Sequence, residues 1–371
     1  VSWPDVALGV VCDVRRGTTI TQTQTRKGII PVVAGGLNAT YCHDTPNRQG
    51  NVVTISASGA NAGFVNFWSS PIFASDCSTV ETDGVEAEIK FVYYFLRSKQ
   101  EYINSKLRSG AAQPHVYAKD IALLQLPLPP LPEQRRIAAI LDQADALRAK
   151  RREALAQLDS LTQSIFIEMF GDPETNEKGL PLEMLGTMCK RITDGTHLSP
   201  KWDTSGVPFL FISNIVDGQI TFNTHKFISN ETYTELTRRC PIELGDVLYT
   251  TVGSYGNAAV VETTKQFAFQ RHIAHIKPDK AKIVPLFLAA MIQSTGVRRQ
   301  VDKVAKGVAQ KTVNLADLKN LLVFAPAHTD QQDFANCVQS VEALKVTHRA
   351  ALQELDRLFA SLQHRAFQGE L

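Results

Sequence analysis

The chain lacks paired cysteines. Its six cysteines, Cys12, Cys42, Cys77, Cys189, Cys240 and Cys337, are scattered over 371 residues with no CxxC among them. That argues against a zinc site, and a disulfide framework is unnecessary at this length. No stretch approaches the ~18 consecutive apolar residues of a membrane helix, and the opening VSWPDVALGV lacks the basic-then-apolar plan of a signal peptide. These absences give the expectation of a soluble cytoplasmic protein with no membrane partner. An excess of one charge is missing too, since 39 basic against 37 acidic side chains leave +2. The balance is +1 over residues 1–126, zero over 127–170, +3 over 171–326 and −2 over 327–371. Such a chain is not a basic clamp, so any nucleic acid must be held by local charge or with the help of partners.

Catalytic signatures are absent as well: there is no Walker loop, GxSxG, HExxH or GxGxxG. The Gly-rich stretches TISASGANAG (54–63) and TVGSYGN (251–257) read as hairpin turns rather than a phosphate cradle. Asp194 and His197 in TDGTH have the chemistry of a general acid and base. The corresponding stretch of the first half, RRGTT, carries neither group, which excludes duplicated catalysis. A loop that hydrogen-bonds a polar ligand or its own backbone is the expectation. No histidine is assigned to a metal, and Cys12 and Cys189, at equivalent places in the two halves, read as small buried fillers.

What is present is periodicity. Prolines 127, 129, 130 and 132 end regular structure and open a helix, after which neither Pro nor Gly occurs until Gly171. Ile137, Ile140, Ala144, Leu147, Ala154, Leu158, Leu161 and Ile165 recur at alternating spacings of three and four, with Arg151 in the remaining slot, which is a coiled-coil seam. The same seam returns 197 positions later in Phe334, Cys337, Val341, Leu344, Ala351, Leu355, Leu358 and Leu362, with His348 matching Arg151. The offset extends back to Gly110/Gly307 and Gln113/Gln310, and forward to Phe170/Phe367. The chain is an internal duplication.

The globular halves repeat as well. LGVVCDVRRGTT (8–19) matches LGTMCKRITDGTH (185–197) at an offset of 177, and GNVVTIS (50–56) matches GDVLYTT (245–251) at 195, which places an insertion of 18 residues in the second half. A helix is expected over Ile89–Leu107. The predicted fold class is α+β: mixed globules at 1–126 and 172–326, joined by long helices at 127–171 and 327–371 that pair antiparallel with pseudo-twofold symmetry. Under that symmetry Arg151 and His348 meet at the centre of the bundle.

Two modules on a spacer of fixed length suit duplex DNA, whose grooves repeat every ~34–36 Å. Candidates for phosphates or guanines are Arg15, Arg16, Lys106, Arg108, Lys190, Lys306 and Lys311. Candidates for base edges are Asn38, Ser58, Asn61, Gln113, His115, Thr196, His197, Asn214, Tyr255, Asn257 and Gln310, with Thr18, Thr193, Asp194 and Ser254 completing the set.

These residues carry a resemblance. The PLPPLPEQRRI junction (127–137), ITDGTH and VPFLFISNIVDGQI (192–220), GDVLYTTVGSYGNAAVV (245–261) and the GxxQ tracts at Gly110/Gln113 and Gly307/Gln310 resemble the specificity (S) subunit of type I restriction-modification systems. The resemblance implies two target-recognition domains, each reading half of a bipartite DNA sequence, with the helices as a ruler for the unread spacer. It implies a non-catalytic adaptor that binds no cofactor itself. Its partners would be double-stranded DNA, two methyltransferase subunits using S-adenosylmethionine on adenine N6, and restriction subunits using ATP and Mg. The second junction, FAPAHTDQQDF (324–334), departs from the proline-rich pattern. Service to a fused nuclease-methyltransferase is an alternative, and a scaffold without DNA is another. The lack of an NPPY-like or DPPY-like tetrapeptide argues against a self-contained methyltransferase.

Overall fold

A computed structural model describes residues 3–39, 41–110, 113–197, 199–307 and 310–371. The middle pairs of the GxxQ tracts, Ala111–Ala112 and Val308–Ala309, lie outside the described residues, as do the first two residues of the chain. The chain divides into two units, Val1–Glu153 with Ala350–Leu371, and Ala154–Arg349. Each unit therefore takes half of each long helix.

In the first unit, β-branched and aromatic runs punctuated by Gly, Asn and Pro form β1 (Asp13–Arg16), β2 (Ile30–Val33), β3 (Tyr41–His43), β4 (Val52–Ser56), β5 (Val65–Trp68), β6 (Phe73–Ala74) and β7 (Cys77–Glu81). An antiparallel sheet has the order β1-β7-β4-β5, and a smaller one the order β3-β2-β6, with β2 and β6 parallel. The second unit builds β8 (Cys189–Asp194), β9 (Val207–Leu210), β10 (Phe227–Ile228), β11 (Val247–Thr250), β12 (Ala258–Val260), β13 (Ala268–Phe269) and β14 (Ile273–Pro278). Their orders are β8-β14-β11-β12 and β10-β9-β13, with β9 and β13 parallel. Strand for strand, the two topologies are the same.

By pairing register the offset between equivalent residues is 177 from Ile30 to Val207, 185 from His43 to Ile228 and 195 from Val53 to Leu248. The expected insertion of 18 residues is therefore divided, eight residues before β10 and ten after it. The first adds a hairpin, Ile215–Val216 with Gln219–Ile220, and the second a helix, Asn230–Thr237, whose N-terminus is capped by Ser229 Oγ accepting from Thr232 N at 3.2 Å.

The helix expected over Ile89–Leu107 stays regular to Ser98. Beyond it come a short turn at Gln100–Tyr102 and a π-helical turn at Ile103–Leu107. At the break, the Gln100 side chain donates to Gly63 O at 2.7 Å and accepts from Val65 N at 3.0 Å, tying the helix to the sheet edge. Phe91, Val92, Phe95 and Leu96 bury its inner face against Val53, Ile55, Val65 and Val80.

The long helices span Leu131–Phe170 and His328–Gln368. Each ends where a glycine takes positive φ, Gly171 at +81° and Gly369 at +74°. No described helix is long and apolar enough to cross a membrane.

Within each unit the helix halves run in opposite directions. In the first unit Arg136 donates to Leu371 O at 2.6 Å, and twelve residues on Arg148 pairs with Asp356 at 2.7 Å. In the second unit Asp159 pairs with Lys345 at 3.1 Å, and Phe170 meets Phe334 with ring centroids 5.8 Å apart. These ion pairs are copies of one another. Arg148 also holds Asp145 at 2.6 Å, and Lys345 also holds Glu342 at 2.8 Å, with every partner shifted by 197.

The seam differs from the one read off the apolar residues. Ile137, Ala144 and Phe334 are buried as expected, but Leu147 is 50% and Leu161 38% exposed. The inward column continues one residue later, through Leu141, Arg148, Leu155 and Thr162 on the first helix and Val338, Lys345, Leu352 and Phe359 on the second. A count of apolar residues passes over Arg148 and Lys345, which point inward as ion pairs, and settles on the leucines beside them. Arg151 falls in the first unit and His348 in the second, each half-buried.

One further device is duplicated. Gln134 and Gln331, 0% and 1% exposed, sit in the first turns of the long helices. The Gln134 amide donates to Glu86 O and Pro129 O at 2.9 Å each and accepts from Glu88 N at 2.8 Å. Gln331 donates to Lys282 O at 3.1 Å and Pro326 O at 3.0 Å, and accepts from Val284 N at 2.9 Å. Each amide satisfies three backbone groups, at least one of them buried, where the chain enters a packing helix. Because orphaned buried groups cost about 1–3 kcal/mol, Gln134→Ala and Gln331→Ala are each expected to lower stability by about that amount. Thermal denaturation of the two variants checks this, and an unchanged midpoint in either would show that the staple is dispensable there.

Candidate nucleic-acid interface

In each unit the Gly-rich turn is laced to the distant GxxQ segment. Gly59 N donates to Pro114 O at 3.1 Å and Val116 N to Ala57 O at 2.9 Å, while Ser109 N donates to His115 O at 2.9 Å. In the second unit Gly253 N donates to Lys311 O at 3.0 Å, Val313 N to Thr251 O at 2.9 Å, and Lys306 N to Thr312 O at 2.9 Å. This lacing brings Ser58 and Asn61 together with Gln113 and His115, and Ser254 and Asn257 together with Lys306, Gln310 and Lys311. Both turns join adjacent strands, as the sequence led one to expect of hairpins. Glycine is required at Gly256, where φ is +95° and an added Cβ would fall 1.9 Å from Arg298 Nη1.

Three predicted contacts are occupied inside the protein, two in bracing these loops and Asn214 in bracing the inserted hairpin. Arg108 donates to Ala60 O at 2.6 Å. Tyr255 is buried, its hydroxyl donates to Asp302 at 2.7 Å, and Arg298 lies over its ring at 4.3 Å while donating to its carbonyl. Buried Asn214 accepts from Phe211 N at 2.9 Å and donates to Asn223 O at 3.1 Å.

Other candidates present their side chains outward. Arg15 pairs with Asp13 at 2.8 Å and with Glu81 at 3.2 Å. Arg16 is 3.8 Å from Asp76, which also accepts from the Ser58 hydroxyl, so these two join the turn cluster. Thr18, Asn38 and Lys106 are exposed, and Lys190 lines a separate groove with Gly186 and Lys319.

In the second unit Thr193, Asp194, Thr196 and His197 line a cleft of about 450 Å³. His197 Nε2 and Asp194 Oδ2 are 2.8 Å apart, so this loop does bond within itself. The cleft wall adds Arg191, Arg238 and Arg239, which the sequence reading omitted; Arg191 donates to Arg239 O at 2.7 Å. The Arg238–Arg239 doublet was a visible signal, but it lies in the inserted segment with no counterpart in the first half. The His272 carbonyl supports the turn, accepting from Thr251 N at 2.9 Å. Burial first, then the charges of Arg271 and His197, hold its imidazole below the usual value.

Beneath the cleft, buried Asp246 accepts from His275 Nε2 at 2.6 Å and Lys277 Nζ at 2.9 Å, and from Glu243 N at 2.8 Å. Burial raises its carboxyl, but these bonds outweigh burial and hold it below the ordinary range. Among the described residues no cluster of His, Cys, Asp and Glu is placed to hold a metal ion. The exposed loops supply hydrogen-bond donors, acceptors and cations on rigid supports, the equipment for binding base edges and phosphates.

A depressed folded-state pKa means that Asp246 contributes stability above the unfolded carboxylate value of about 3.9 and loses it as pH falls through the lower folded value. Asp246→Asn is therefore expected to destabilise the protein at neutral pH and to flatten the acid limb of stability from about pH 5 downward. Thermal midpoints across that range check it; parallel curves for the two proteins would count against this account.

A family model for the type I restriction modification DNA specificity domain matches residues 1–157. The specificity subunit of the type I restriction enzyme EcoBI of Escherichia coli is 26% identical over 312 residues, 76% of this chain and 65% of that protein. The specificity subunit of type I restriction enzyme MjaVIII of Methanocaldococcus jannaschii is 21% identical over 86% of this chain and 79% of its own length. This chain thus spans just under two thirds of the EcoBI subunit. The crystal structure of a type I restriction-modification S subunit from M. genitalium has the same fold, with a TM-score of 0.63 at 17% identity, over 99% of this chain and 96% of that one. A chain from a structural study of type I R-M complex assembly and conformational transition aligns with a TM-score of 0.57 at 20% identity, over 100% and 98%. The family model, the curated relatives and the solved structures to which this chain is similar are alike those of type I restriction-modification specificity subunits.

Proposed function

We propose that this chain reads a bipartite DNA sequence, with one globule for each half-site, and contributes no chemistry of its own. The observation that carries the reading is the duplicated sheet pair, in which the same two loops are laced together in each unit while the residues they present differ. A shared frame with divergent loops suits two modules of one origin that bind different base sequences. In the first module the contacts are Arg15, Arg16, Thr18, Asn38, Ser58, Asn61, Lys106, Gln113 and His115. In the second they are Lys190, Thr193, Asp194, Thr196, His197, Ser254, Asn257, Lys306, Gln310 and Lys311, joined by Arg191, Arg238 and Arg239.

The long helices act as a coiled-coil spacer and as the seat of two methyltransferase subunits. Exposed leucines support the seat: Leu147 and Leu358 in the first unit, Leu161 and Leu344 in the second, with Leu147/Leu344 and Leu161/Leu358 related by the 197-residue offset. Two equivalent apolar patches suit two copies of one partner. S-adenosylmethionine then belongs to those subunits, and ATP and Mg to the restriction subunits that complete the complex.

DNA affinity in the presence of the methyltransferase partner is expected to fall about 10³-fold or more between about 50 and 200 mM salt. Lys306→Ala and Lys311→Ala should each reduce the slope of log K against log salt by about one. Salt-independent binding would favour a protein scaffold instead. Replacing residues 1–126 by the equivalent globule of a relative is expected to change one half-site and keep the other, as read by mapping methylated adenines. A change in both halves would overturn the two-module reading.

A further inference from the structure

The second unit buries polar groups that the shared fold does not require. At the offset of 195 that relates β11 and β14 to β4 and β7, His275 stands where the first unit has Val80, and Asp246 where it has Asn51. Asp246 accepts from His275 Nε2, which places the imidazole proton on that nitrogen and leaves Nδ1 as an acceptor. Cys240 Sγ faces Nδ1 at 3.4 Å. A nucleophile, a base in contact with it and a carboxylate that orients the base are thus in line.

The sulfur opens on the 450 Å³ cleft, whose walls include Arg191, Arg239 and His197. Burial raises the thiol above its ordinary value; Arg191 and Lys277 pull it down, and Asp246 and Glu243 push it up. An unassisted thiol in such surroundings is slow at neutral pH. A base in contact removes that obstacle by accepting the proton as the sulfur attacks.

We propose that Cys240 is a modification site, a thiol activated by His275 and Asp246 that exchanges with small anionic disulfides entering the cleft. Sγ bonds to one sulfur of the disulfide, the sulfur–sulfur bond breaks, and its electron pair departs on the second sulfur. The thiol proton passes to His275 Nδ1 and then to the departing thiolate. The products are a mixed disulfide on Cys240 and one free small thiol, so no other oxidant is needed. Cations on the cleft wall select an anionic reagent. This chemistry does not depend on what the loops read.

The test is the rate of thiol exchange on the intact chain with dithiobis(nitrobenzoate), a dianionic disulfide. One thiol is expected to react at least tenfold faster than the exposed Cys42 and Cys337. That phase should vanish in Cys240→Ser and slow at least tenfold in His275→Gln. Its advantage over Cys42 should shrink when neutral dithiodipyridine replaces the anionic reagent. Since a substitution at buried His275 can disturb folding, the unmodified chain gives a separate readout. The fast phase should rise less than tenfold per pH unit between about pH 6 and 9, because a neighbour in contact takes the thiol proton, whereas a lone thiol of raised pKa gains tenfold per pH unit. No fast phase, a fast phase that survives Cys240→Ser, or a tenfold rise per pH unit throughout would each overturn the proposal.

Discussion

Lys345 is 6% exposed and is held between Asp159 and Glu342. Arg148 takes the same position in the other unit, between Asp356 and Asp145. A cation on an inward face is costly unless an acid from the facing helix reaches it, so only alignments that bring Asp159 to Lys345, or Asp356 to Arg148, are tolerated. Such pairs add little net stability compared with leucine in the same place. Their use lies in register, because sliding either helix by one turn would bury an unpaired charge. Everything mounted on the helix halves inherits that alignment.

The glutamine staples pass the alignment on to the globules. Gln134 and Gln331 bind the backbone just ahead of the helix that backs each sheet, so the helix start and the sheet support are fixed as one piece. The sheets in turn hold the Gly-rich turns, and the turns are laced to the GxxQ segments. A loop anchored at both ends to a rigid support loses little entropy on meeting a ligand, which is how loops of ordinary composition gain specificity. Arg108, Arg298 and Tyr255 serve that anchoring.

Much of this was legible in the residues. The 197-residue offset, the first helix's start at the proline run and its stop at Gly171 are local or self-comparative signals, and they translate directly into elements. The seam was half legible: positions such as Ile137 and Ala144 are apolar and buried, whereas Arg148 and Lys345 are inward and charged. The 18-residue insertion was visible only as a total, since no residues between the flanking markers align well enough to split it. The candidate contacts were sorted by residue type, and type alone does not distinguish Asn257 on a turn from Asn214 beneath one.

The sequence by itself determined the duplication, the α+β class, the long helices and the family resemblance, because each rests on a repeat or a motif that needs no third dimension. The tertiary structure alone decided which side of each helix turns inward, which loops come together, and which polar residues are spent as braces. It also decided that His275, 35 residues beyond Cys240 and 29 beyond Asp246, stands in line with both. The physical reason is common to all four: each depends on which acid, carbonyl or imidazole reaches a given group in space, and pairing across such separations leaves no periodic trace in a single chain.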